Sequence, residues 1–134
     1  MYPSLLLQSG WGLLFLRIAF SAIMIAHGFS KVKNLKKTGS DFADLGFHPG
    51  MLWGSLIALL EFFGGIALVL GIFTVPCAAL FALEFFTIII WKIAKHGVFL
   101  GGWEFDLLIL ASAIALFFSG AGTISLDHLL IIGL

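Results

Sequence analysis

Four long apolar runs, separated alternately by polar stretches and by one very short connection, set the rhythm of this 134-residue chain. They fall at about 12–29, 52–73, 76–92 and 104–119, against the roughly 20 residues that a helix needs to cross a bilayer core, so the fourth is short. The second run carries an acid, Glu61, near its middle, with Gly54, Ala58 and Gly65 on the same helical face at spacings of three and four. An ionised side chain at that depth costs about 2.5 kcal/mol or more, so this face turns toward a bundle interior, where small residues let helices approach closely.

The other runs repeat the arrangement. In the first, Arg17, Ser21, Met24, Gly28 and Lys31 form one stripe with His27 at its edge. In the third, Pro76 suits the first helical turn, and Cys77, Phe81, Glu84, Ile88 and Trp91 share a face. Glu84 lies about 12 Å into its span and Glu61 about 14 Å into its own from the opposite surface, at 1.5 Å per residue, so the two acids are placed to meet near mid-depth. The fourth presents Asp106, Leu110, Ala113 and Phe117 on one stripe.

The connections complete the topology. Residues 30–50 hold four lysines, two aspartates, three glycines and a proline, and Phe42, Leu45 and Phe47 within them predict a short interfacial helix. The short turn at Thr74–Pro76 makes the second and third spans antiparallel. Gly120, Gly122 and Ser125 break the last helix, and the tail LDHLLIIGL is too short to cross again, so it folds back and carries Asp127 toward Arg17. The expected fold is an all-α integral membrane protein, an antiparallel four-transmembrane-helix bundle forming a single domain over 1–134.

Composition agrees and removes whole classes of function. The chain is 61% hydrophobic and only 10% charged, with a mean hydropathy of +1.17. Seven basic and seven acidic residues cancel, which leaves no electrostatic footprint for nucleic acid. Six of the seven basic residues sit in the two loops at one end, so by the positive-inside rule these polar loops are cytoplasmic and both termini lie outside. Cys77 is the single cysteine and cannot form an internal disulfide or a two-cysteine redox motif. The N-terminal MYPSLLLQSGWG lacks a basic n-region and is read as retained.

The candidate chemistry is a set of charges in apolar surroundings. Arg17, Glu61 and Glu84 project from three helices, and Asp127 closes the set from the tail. Two carboxylates facing one guanidinium leave an excess acid, which favours a shared proton and a site able to exchange it. The same residues read equally as a buried ion pair that fixes helix register, and Arg17 as a side chain snorkelling to the headgroups. A second constellation, His27, Lys31, Lys92, His96, Glu104 and Asp106, lies toward the loops. There His27 suits a hydrogen bond to a quinone carbonyl and Asp106 its orientation or protonation, although interfacial salt bridges and a packed histidine explain the same spacing. No close His-x-x-x-His or Glu-x-x-His pair sets a metal geometry, so no metal site is expected.

Taken in order, Arg17, His27-Gly28-Phe29-Ser30-Lys31, Phe42 with Leu45-Gly46-Phe47, Glu61-Phe62-Phe63-Gly64-Gly65 followed by Gly71, then Glu84, His96-Gly97, Glu104 with Asp106, and Gly120-Ala121-Gly122 through Ser125-Leu126-Asp127 resemble the DoxX family over nearly the whole chain. The resemblance implies a small four-helix membrane protein related to subunits associated with terminal quinol oxidation and with membrane oxidoreductase complexes. The wider superfamily also includes proteins linked to chaperoning or membrane-complex assembly. Arg17, His27, Lys31, Glu61 and Asp127 match the family's polar pattern.

Three readings follow. The first is a quinone- or quinol-interacting component of a membrane oxidoreductase, with Phe62, Phe81 and Phe85 lining an apolar pocket to which His27, Lys31 and Asp106 add polar groups. Arg17 would hold an oxygen, Glu61 exchange a proton and Glu84 tune it, while electrons leave through a partner's cofactor, none being evident within the chain. The second is a non-enzymatic assembly or chaperone-like bundle, and the third a small proton-coupled carrier, which the lack of an internal repeat disfavours. Expected partners are the bilayer, other membrane oxidoreductase subunits and a second copy packed through glycine-rich surfaces.

Overall fold

The computed structural model describes residues 3–130, so residues 131–134 of the tail and the first two residues of the N-terminal segment lie outside the described residues. Helix α1 spans Pro3–Val32, α2 Leu35–Asp44, α3 Gly50–Leu59, α4 Gly65–Leu70, α5 Thr74–Ala94, α6 Glu104–Ser119 and α7 Leu126–Leu129. A widened π-helical turn, Leu60–Gly64, joins α3 and α4 into one rod. The described residues form no strand. Four stretches are long and apolar enough to cross a membrane: Gln8–Val32, Gly50–Leu70, Thr74–Ala94 and Phe99–Ser119. At 1.5 Å per residue the shortest of these covers about 31 Å, the thickness of a hydrocarbon core.

Two helix limits differ from the sequence pattern. The second span ends at Leu70 instead of Phe73, because Gly71 takes the left-handed conformation (φ 70°) and closes a Schellman turn, with Ile72 N–H donating to the Ala67 carbonyl at 2.9 Å. The fourth gains length from Phe99–Trp103, an apolar turn in which Gly101 adopts φ 74°. Its buried stripe is Asp106, Ile109, Ala113 and Leu116; Phe117, expected inside, is exposed, since the stripe drifts around the helix by one position over three turns.

The amphipathic helix of the first polar loop is present as α2, and it packs antiparallel along the first half of α3. Thr38, Gly39 and Ala43 lie against Gly54, Met51 and Gly50, so glycines on both helices bring the backbones together. Asn34 starts α2 as its N-cap, its side chain accepting the Lys37 N–H at 3.1 Å. The Thr38 hydroxyl then donates to the Lys31 carbonyl at 3.1 Å, which ties α2 to the last turn of α1.

Glycine also sets the central contacts. The backbone of Glu61 and Phe62 lies directly against Gly28 of α1, where a Cβ would overlap it. The neighbouring Gly64 and Gly65 face different helices, Gly64 the Phe81 ring of α5 and Gly65 the Ile25 and Met24 side of α1. Gly28→Ala should therefore force α1 away from the π-turn, at a cost of about 1–3 kcal/mol typical of overpacking. A lowered apparent Tm in detergent is the expected result.

Across the bundle the side chains stack in three layers. A buried apolar block of Phe20, Met24, Leu68, Ala78, Phe81, Ala113 and Leu116 fills the middle. On its loop side lie Lys31, Glu61 and Glu84; on the other lie Arg17, Thr74 and Asp127, while the buried Ser21 hydroxyl sits within the block between Phe20 and Met24. The four charged residues first grouped on sequence are thus divided between two layers.

Candidate functional site

The loop-side layer holds the acid pair. Glu61 is 3% exposed and Glu84 7% exposed. The π-turn places Glu61 on the inner face of the rod, and such turns recur at functional positions in helices. Lys31 Nζ donates to both Glu61 oxygens, at 2.6 and 2.7 Å. The lysine side chain is 29% exposed, against 4% for the Glu61 side chain, so the pair runs from the protein interior toward solvent. Glu84 faces Glu61 at hydrogen-bonding reach, a bond the two carboxyls make when one of them carries a proton, and no other described residue bonds its buried oxygens. Two carboxyls and one ammonium leave one negative charge unbalanced when both acids are ionised; with one proton the group is neutral.

The expected pairing of Arg17 with this site is corrected by the helix register. α1 and the α3–α4 rod run antiparallel, with Gly28 opposite Phe62 and Gly65 opposite Ile25, which brings Arg17 to Leu68 and beyond. Leu68 lies about 10 Å along the rod from Glu61. Lys31, one turn past Gly28, is the cation that reaches the acid.

Arg17 instead holds the opposite end together. It is 1% exposed, and its guanidinium donates to four carbonyls: Leu68 (2.8 Å), Val69 (3.0 Å), Ala121 (2.8 Å) and Ile124 (2.7 Å). The Schellman turn at Gly71 exposes the first two, and the Gly120–Gly122 break presents the others. Asp127, brought near by α7, attracts Arg17 without a direct salt bridge among the described residues. Its carboxylate accepts the N–H groups of Phe73 (2.9 Å) and Thr74 (3.0 Å), while its own N–H donates to the Gly71 carbonyl at 2.8 Å. It thereby caps the N-terminus of α5 from a distant part of the chain, where a carboxylate also suits the helix dipole.

The six residues expected to line a quinone pocket occupy separate settings. Phe81 and Phe85 are in the core, with Phe81 edge-on to Phe20 at 5.1 Å between centroids. Phe62 packs on Phe29 and Phe63. Lys31 belongs to the acid pair, and Asp106 accepts a 2.5 Å bond from Lys92. His27 is exposed. Of the remaining loop-side groups, Glu104 accepts the Gly101 N–H at 2.9 Å and His96 is exposed. Among the described residues no three His, Cys, Asp or Glu side chains converge as metal ligands do.

A shallow apolar groove of about 310 Å³ lies along α5, lined by Phe86, Thr87, Ile90, Trp91 and Ala94 and closed by Phe47 from the α2–α3 loop. Phe86, Thr87 and Ile90 are exposed on the outer face of α5, so the groove lies around the helix from the buried Glu84, which does not line it. Sequence reasoning missed two parts of the site, the Lys31 partnership and the π-turn. The signal for the first was present, since Gly28 and Lys31 share a stripe and Gly28 marks the closest helix approach. The second had none beyond the Gly64-Gly65 pair.

The fold and this layered polar interior define a small multi-pass integral membrane protein with a buried charged site. The family model for DoxX matches residues 12–96, and the chain belongs to the DoxX family. It is 33% identical over 116 residues to a Bacillus subtilis (strain 168) protein named "Putative oxidoreductase CatD", covering 87% of this chain and 84% of that one. No solved structure matches the chain.

Proposed function

We propose that this protein is a quinone- or quinol-interacting component of a membrane oxidoreductase system, and that its proton-exchange site is Lys31, Glu61 and Glu84. The observation that carries the reading is Glu84, a buried acid that receives no donor from the other described residues and faces a second acid that already has its cation. The name of the Bacillus relative supports redox chemistry, and the shallow apolar groove on the outer face of α5 suits a hydrophobic carrier. Reduction of a quinone to a quinol takes two electrons, supplied by a partner's redox cofactor, and two protons. Glu84 would donate a proton to the quinone oxygen, and Glu61, held by Lys31, would pass the replacement. On this reading the lysine-rich loops face the cytoplasm, by the distribution of basic residues.

The test is native mass spectrometry with lipid extraction on mildly solubilised protein, paired with redox-difference infrared spectra. Quinone retained by the wild type, with a carboxylic-acid band that responds to its reduction and vanishes in Glu84→Gln, is the expected result. Wild-type protein that carries no quinone but retains other protein subunits would replace this reading with an assembly role.

A further inference from the structure

The three layers have a directional consequence. On α1 the order along the helix is Arg17, then Phe20, Ser21 and Met24, then Gly28 and Lys31. On the α3–α4 rod it is Gly71, then Leu68 and Gly65, then Glu61. On α5 it is Thr74, then Ala78 and Phe81, then Glu84. The middle group is buried and, apart from the Ser21 hydroxyl, apolar: Phe20 is 2% exposed, Met24 1%, and Leu68, Ala78 and Phe81 are 0%. Phe20 and Phe81 meet edge to face across the centre, and Gly64 lets the Phe81 ring lie against the rod itself. Ser21 places one hydroxyl within the block, but it has no hydrogen-bond partner among the described residues, so it links neither the acid pair nor the Arg17 layer. Toward the loops the situation is reversed, because the chain of polar groups Glu84, Glu61, Lys31 ends in a partly exposed ammonium.

We infer that the Glu61–Glu84 pair communicates with the loop side of the membrane alone, with Lys31 as its gate and the Phe20–Phe81 block as its seal. This rests on the proton-exchange reading above and adds its direction. A proton arriving from the loop side reaches Glu61 when the Lys31 ammonium swings away from it, then passes to Glu84. It goes no further, because beyond it lies hydrocarbon interrupted by the isolated Ser21 hydroxyl, a setting in which neither a hydrated proton nor an ionised carrier is stable. The charged groups facing Glu84 from the packed elements are Glu61 of the rod and Lys31 of α1, and both lie on the loop-side route. The site therefore loads from one face and serves a reaction in the membrane plane, which separates it from a carrier with alternating access.

Sided thiol labelling tests this in oriented proteoliposomes. Cys77→Ala removes the native thiol, Glu84→Cys supplies the reporter, and a small impermeant cationic methanethiosulfonate is added to one side at a time. Lys36→Cys, on exposed α2, identifies the loop side. The expected result is labelling of position 84 from the loop side and complete loss of labelling from the other. Adding Phe81→Ala, or Phe20→Ala where the first does not fold, is expected to restore labelling from the second side. Labelling from both sides without either substitution, from the far side only, or from neither side while the α2 control reacts, overturns the inference. The readout uses neither quinone nor electrons. Bound quinone with two-sided labelling would leave the function standing and remove only the direction; one-sided labelling without quinone would do the reverse.

Discussion

Arg17→Leu is expected to be the most damaging single substitution, at more than about 4 kcal/mol. The guanidinium serves four carbonyls in a site that is 1% exposed, and each carbonyl left without a donor costs about 1–3 kcal/mol. Those carbonyls belong to two parts of the chain, the end of the α3–α4 rod and the Ala121–Ile124 segment, so the loss should be local as well as global. Tryptophan-detected thermal unfolding in detergent should show a large drop in Tm, and limited proteolysis should cut after α6 under conditions where the wild type resists. Arg17→Lys should recover only part of the loss, because an ammonium is a point donor and cannot fan out to four oxygens. A Tm close to wild type for Arg17→Leu would mean that Asp127 and α7 hold the tail without it.

Lys31→Met is the second large effect, about 3 kcal/mol, the low end for breaking a buried ion pair because the ammonium is partly exposed. It leaves two facing acids in apolar surroundings with no cation. The companion measurement is the double variant Lys31→Met with Glu61→Gln, which removes the charge as well as its partner and should regain most of the lost Tm. If the double variant is no more stable than the single one, Lys31 acts through its packing and not its charge. The Lys92–Asp106 pair at the same end is built alike, a partly exposed lysine bonded to a buried carboxylate, so Lys92→Met should lower the Tm by a similar or slightly smaller amount.

Arg17 and Lys31 together explain what the sequence could carry. Both lie on one stripe of α1, and both sit at positions matching the family's polar pattern, so both were legible as inward-facing. Their partners were not. An α-helical stripe specifies a face and a spacing, but the axial offset between two antiparallel helices depends on where the backbones can touch. Here that point is Gly28 against the Glu61–Phe62 backbone. Sliding α1 by about two turns would have carried Arg17 from Leu68 to the level of Glu61, and Lys31 beyond it, without changing any hydropathy pattern. The Asp127 cap is similar: the tail's return was foreseeable from its length, whereas its bonds to Phe73 and Thr74 required the α4–α5 turn to be placed.

By itself, the sequence determined the four apolar helices, the amphipathic α2, the inward faces of Glu61 and Glu84, and membership in the DoxX family. Each of these rests on local periodicity, on total hydrophobicity or on the order of short motifs, all of which survive in one dimension. Only the tertiary structure decided that the buried charges form two separate groups, that Lys31 and not Arg17 answers Glu61, and that a phenylalanine block lies between the groups. The physical reason is that a charge buried in apolar surroundings takes whichever partner the closest backbone contact brings within about 3 Å. Glycine contacts and a π-turn, which leave almost no mark on hydropathy, set that contact.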